Sequence, residues 1–135
     1  MRRAHEEAQR WFRQAQEDMA ASRTLFEAGH HYLVCFMCQQ IAGKALKAYL
    51  LSRGEPPALT HGVESLCEVA AGHDGAFSAL RGKIAILDGY YLPTRYPDSL
   101  PSGIPADIYN SAAAQQALQL AQEALDFVHG RIEST

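Results

Sequence analysis

The sequence predicts an all-α fold, an up-and-down antiparallel bundle of four to five helices, and three observations predict it. Apolar residues recur three and four apart through most of the chain, the rhythm that lines one side of an α-helix. Glycines stand where the first three periodic segments stop, at Gly29, Gly54 and Gly72. No segment alternates apolar and polar residues in the way a half-buried strand does.

Taken in order, residues 4–28 carry Phe12, Ala15, Met19, Ser22 and Phe26 on one stripe, with Glu6, Arg10, Arg13 and Glu17 on a wetter side. The second helix is expected from His31 to Arg53, closed by Gly54 with Pro56 and Pro57 beyond it. Thr60 is the expected N-cap of a third helix whose Val63, Leu66, Cys67 and Ala70 share a face. A fourth shows Phe77, Leu80, Ile84, Leu87 and Tyr91, and a fifth shows Ala114, Leu118, Ala121, Leu125, Val128 and Ile132. Between these last two lies Leu92 to Ala106, where Pro93, Pro97, Pro101 and Pro105 forbid a regular helix. Loops of this length are uncommon in compact domains, and serve either as plain connectors or as functional segments.

A chain of 135 residues fits one domain, here residues 1–135, and is long enough to bury a core without a metal or disulfide staple. A net charge of −3 argues against a surface that coats nucleic acid non-specifically, while leaving room for a local cationic pocket. The two arginines at the start are followed by no apolar core, so no signal peptide is expected. The longest apolar stretch, Leu33 to Leu51, is broken by Gln39, Gln40, Lys44 and Lys47, so no membrane span is expected either. Three cysteines cannot all pair within one chain, which fits a reducing cytoplasm.

The second helix is apolar nearly all round, so it is expected to lie centrally or also to face a second copy in a homodimer or larger assembly. Its polar exceptions, Gln40, Lys44 and Lys47, follow one stripe. The lysines either snorkel to water along a bundle groove or line an anion-binding groove with Arg95. Arg95 is the expected anion-recognition residue, because its planar fork donates two parallel hydrogen bonds to phosphate. Tyr96 and Asp98 are expected to hold its loop, unless Asp98 pairs with Arg95 directly. His61 has two readings, a loop-to-helix hydrogen bond or a wall of a nucleotide or RNA pocket. Cys35 and Cys38 form a C-x-x-C inside an apolar helix, the setting of core residues rather than of a redox pair. A zinc site completed by Cys67 with His61 or His73 is the weaker alternative, so no metal and no cofactor is expected.

These residues, in this order, resemble the higher-eukaryote-and-prokaryote nucleotide-binding, or HEPN, domain family. The resemblance rests on Gly29 and Tyr32 ending the first helix, on QQIAGKALKAYLL at residues 39–51, and on Thr60-His61. It continues through Tyr91 into Thr94-Arg95-Tyr96-Pro97-Asp98, and through the Ala/Leu-rich closing helix, covering essentially the whole chain. It implies a four- or five-helix bundle, self-association, and a context of nucleotides, RNA or a nucleotidyltransferase-type partner. Two departures bear on activity. Gly43 stands where relatives commonly place a glutamate. RNA-cutting relatives carry an arginine followed after four to six residues by a histidine, beside the loop before the final helix. Here Leu100, Pro101 and Ser102 occupy those spacings from Arg95. Arg23 and His30 match the spacing elsewhere, but chance supplies about one such match in a chain of this composition.

The resemblance therefore implies a non-catalytic HEPN domain that binds a nucleotide or nucleic acid and acts with a nucleotidyltransferase-family protein, as in toxin–antitoxin pairs. Two other readings stand beside it. One is a metal-independent RNase toxin using Arg95 and a displaced histidine such as His61. The other is a structural helical oligomer with no ligand.

Overall fold

The computed structural model describes residues 2–57 and 62–133. Helix α1 spans Arg2–Glu27, α2 His31–Ser52, α3 Val63–Ala71, α4 Phe77–Ile84, α5 Pro105–Ile108 and α6 Ser111–Glu133. Two 3₁₀ segments, Ala85–Tyr90 and Pro97–Ser99, lie between α4 and α5, and no strand occurs among the described residues. Among them, too, no helix is long and apolar enough to cross a membrane.

The turns after α1 and α2 share one construction. The N–H of His30 donates to Leu25 O and that of Gly29 to Phe26 O, both at 3.0 Å, with Gly29 at φ +87°. After α2 the same pair runs from Glu55 to Leu50 O and from Gly54 to Leu51 O, with Gly54 at φ +84°. Each pair satisfies carbonyls that a helix end leaves open, and the left-handed backbone it needs favours glycine. The first turn is short enough to fold α2 straight back along α1.

Helix α2 occupies the centre, packed against α1, α3 and α6. Val34, Cys35, Cys38, Ile41, Leu46 and Tyr49 are all buried, on several sides of the helix. Most of its apolar circumference is covered within the chain, while Tyr32, Leu33, Phe36 and Met37 near its start stay partly exposed. Facing it, α6 presents Ala114, Ala117, Ala121 and Ala124, and α1 presents Ala8, Phe12, Ala15 and Met19. Small residues on α6 permit a close approach, since the side chains at the contact set the spacing between helices. Large side chains fill the end near α4, where the Tyr49 and Phe77 rings lie 4.4 Å apart and Phe77 meets Phe127 at 4.8 Å.

Two local expectations are corrected. The fourth helix is α-helical only to Ile84 and continues as a 3₁₀ segment to Tyr90. With three residues per turn, Ile84, Leu87 and Tyr90 stack on one edge and stay with the core, while Tyr91 leaves that edge. Spacing of three and four in the sequence fits both helix types, so periodicity alone did not separate them. The second correction concerns α3. Thr60 and His61 lie outside the described residues, and α3 begins at Val63 with Gly62 as N-cap, which has no side chain to offer. Asp88 supplies the cap instead, accepting from the Val63 N–H at 2.7 Å and the Glu64 N–H at 3.0 Å. The proline-rich segment also holds more order than expected, because Pro97 and Pro105 each open a short helical turn, where a missing N–H costs nothing.

Candidate functional site

Arg95 sits on a shelf built by the end of the 3₁₀ segment and by α2. Backbone bonds from Arg95 N to Leu92 O (3.0 Å) and Tyr96 N to Leu92 O (3.4 Å) close a turn. Buried Thr94 pins it from beneath by donating its hydroxyl to Tyr90 O. The Arg95 guanidinium carbon lies 4.5 Å from the Tyr91 ring centroid, 5.0 Å from Phe36 and 5.2 Å from Tyr96. Its Nε donates to Tyr91 O at 3.0 Å. Among the described residues no carboxylate pairs with Arg95, Asp98 included, and both Nη groups remain open to an outside acceptor. The side chain is exposed, so a cation already oriented by three rings and one hydrogen bond faces solvent.

The lysine stripe has a different character. Phe36, Gln40, Gly43 and Lys47 follow one line on α2, with Lys44 beside it. Lys44 Nζ pairs with Asp18 Oδ2 at 2.5 Å, and Gln14 Nε2 donates to the other oxygen at 2.9 Å. That charge is neutralised inside the bundle. Lys47 is only 8% exposed and its ammonium lies 5.6 Å from the Trp11 ring centroid. Burial, and then the neighbouring Lys44 charge, push Lys47 below the usual lysine range. From Phe36, under Arg95, to Lys47 the stripe runs 11 residues, or roughly 16 Å at 1.5 Å per residue. The structure thus sets Arg95 and Lys47 at opposite ends of one face rather than in one contact cluster.

Between them runs a chain of polar contacts. Gln40 Nε2 donates to Gln39 Oε1 at 2.8 Å, and Gln39 Nε2 donates to Asp88 Oδ1 at 3.1 Å. The Asp88 carboxylate that caps α3 therefore also ties the segment leading to Tyr91 and Arg95 to the centre of α2. Sequence reasoning missed Asp88, Trp11 and Phe36. Asp88 and its partners lie 24 to 49 positions apart, and nothing local marks such a pair.

The remaining candidates recede. His61 lies outside the described residues. Arg23 donates to Gln122 Oε1 on α6 at 3.0 Å, and His30 is exposed at the α1–α2 turn. Cys35, Cys38 and Cys67 are fully buried. Burial raises the Cys35 thiol to about 11 and the Cys67 thiol to about 12, and raises Cys38 as well. Among the described residues no three His, Cys, Asp or Glu side chains cluster as metal ligands do.

Comparison with known proteins places this geometry. The family profile described as "HEPN domain" matches residues 8–132. The crystal structure of TT1696 from Thermus thermophilus superposes with a TM-score of 0.86 at 35% identity, covering 92% of this chain and 97% of that one. That of ST0689, an archaeal HEPN homologue, superposes with a TM-score of 0.76 at 29% identity, covering 93% of this chain and 97% of that one. No protein of curated function matches the chain.

Proposed function

The chain belongs to the HEPN domain family, and from that premise we propose that it is a non-catalytic, nucleotide- or nucleic-acid-binding domain whose anion-recognition residue is Arg95. The observation that carries this reading is the guanidinium held on Phe36, Tyr91 and Tyr96 with no carboxylate partner among the described residues. A fork already fixed on a shelf loses little freedom when it meets phosphate, and the exposed Tyr96 ring offers a face to a base. Asp98 lies exposed on the 3₁₀ turn that follows and, among the described residues, does not pair with the arginine. Family membership supports a place in the cytoplasm beside a nucleotidyltransferase-family protein, in the manner of a toxin–antitoxin pair. General acid–base cleavage of RNA needs a proton-transfer group within hydrogen-bond reach of the reacting oxygen. At the spacings from Arg95 where RNA-cutting relatives carry a histidine, this chain has Leu100, Pro101 and Ser102.

The test is binding of nucleotides and short RNAs, followed by their effect on thermal unfolding, in the intact protein and in Arg95→Ala. Ligand is expected to raise the melting temperature of the intact protein by mass action and to raise that of the variant less, and neither preparation cuts RNA. Equal ligand-dependent shifts in both proteins refute the role of Arg95. RNA cleavage that disappears in Arg95→Ala refutes the non-catalytic reading.

Self-association belongs to the same proposal. Since most of α2 is covered by its own chain, the apolar surface available to a second copy is its partly exposed start together with neighbouring segments. Ile86, Leu92, Ile104 and Ile108 are each about half exposed and fall within one stretch of chain. Light scattering at tens of micromolar is expected to give at least twice the 14.8 kDa chain mass. A monomer mass refutes it.

A further inference from the structure

Lys47 is a largely buried lysine, 8% exposed. Among the described residues no carboxylate pairs with it, whereas Lys44 beside it is paired with Asp18 and Arg10 with Glu7. An ammonium has three N–H donors, and here the face of Trp11 covers only one side of it. Trp11, Gln40, Gly43, Lys44 and Lys47 enclose a cleft of about 140 Å³. At roughly 30 Å³ per water, that is room for four or five waters, or for one tetrahedral oxyanion. Gly43 contributes no side chain, so neither bulk nor a carboxylate stands on α2 one turn before Lys47. Gln40 uses one amide hydrogen on Gln39 and keeps the other.

We propose that the Trp11–Lys47 cleft is a binding site for a small tetrahedral oxyanion, inorganic phosphate or the terminal phosphate of a nucleotide. Lys47 supplies the charge, Gln40 a neutral donor, and the Trp11 ring the wall. The depressed ionisation of Lys47 agrees with this assignment, since a bound anion offsets both the burial and the Lys44 repulsion that cause it. The site stands independently of the Arg95 shelf, at the other end of the same helical face.

Trp11 is the only tryptophan in the chain, so tryptophan fluorescence reports on the wall of this cleft. The full chain is titrated with sodium phosphate and with adenosine 5′-monophosphate against sodium chloride at matched ionic strength, exciting at the red edge where tyrosine does not absorb. A saturable change is expected with at least one phosphate probe and none with chloride. Tenfold tighter binding of the monophosphate identifies a nucleotide, and equal binding identifies the free ion. Lys47→Met is expected to weaken the response at least tenfold. Gly43→Glu is expected to do the same, by placing a carboxylate four residues before Lys47, the order that favours an internal pair. Arg95→Ala is expected to keep the response, which separates this site from the proposed shelf. Absence of a saturable change with both probes, or a response that survives in a folded Lys47→Met or Gly43→Glu, overturns the assignment.

Discussion

Replacing Asp88 tests the contact on which both the fold and the candidate site depend. Its carboxylate accepts from two backbone N–H groups at the start of α3 and from Gln39 Nε2, at 2.7, 3.0 and 3.1 Å. Losing a capping side chain costs about 0.5–2 kcal/mol. A hydrogen bond to a charged group contributes about 1.5–3 kcal/mol, and a carboxylate at a helix N-terminus gains about 0.3–1 kcal/mol from the dipole. These contributions overlap, so Asp88→Ala is expected to lose about 2–4 kcal/mol rather than their sum. For a domain of this size that lowers the melting temperature by about 10 °C. Asp88→Asn keeps one acceptor oxygen without the charge and is expected to fall between, at about 1–2 kcal/mol. Urea unfolding followed by far-ultraviolet circular dichroism measures both, as a shifted midpoint with an unchanged slope. Because Asp88 anchors the segment that carries Tyr91, the alanine variant is also expected to bind ligand more weakly at Arg95. An Asp88→Ala protein within about 0.5 kcal/mol of the parent, the range of an ordinary surface change, refutes the reasoning.

Two further outcomes follow from the packing. Asp18→Ala strands the Lys44 charge beside Lys47 at a site where the Asp18 side chain was only 13% exposed. It is expected to cost about 2–4 kcal/mol in the same urea assay, and Lys44→Met to cost clearly less, since it also removes the repulsion at Lys47; equal losses refute the ion-pair account. Cys35, Cys38 and Cys67 are buried with raised thiols, so none is expected to react with a thiol reagent near neutral pH until the protein unfolds. Rapid labelling of the native protein, read by mass spectrometry, refutes that.

The residue pattern by itself determined the fold class, the approximate places of the long helices and the buried stripes of α1 and α6. Each rests on local physics. Phe12, Ala15 and Met19 lie on one side of any helix that contains them, and Gly29 and Gly54 stop a helix wherever their neighbours permit the left-handed turn. The position of Arg95 between Pro93 and Pro97 was legible too, as a cation in a stiffened loop. What only the tertiary structure decided is which charges remain unpaired. Lys44 and Lys47 stand three residues apart on one helix and look equivalent in sequence, yet α1 brings Asp18 to the first and Trp11 to the second. Likewise Asp88 becomes the cap of α3, and Asp98 fails to neutralise Arg95, because the backbone path between them carries each carboxylate to a partner or away from one. Pairing depends on distances between segments far apart in the chain, and a one-dimensional pattern holds no measure of those distances.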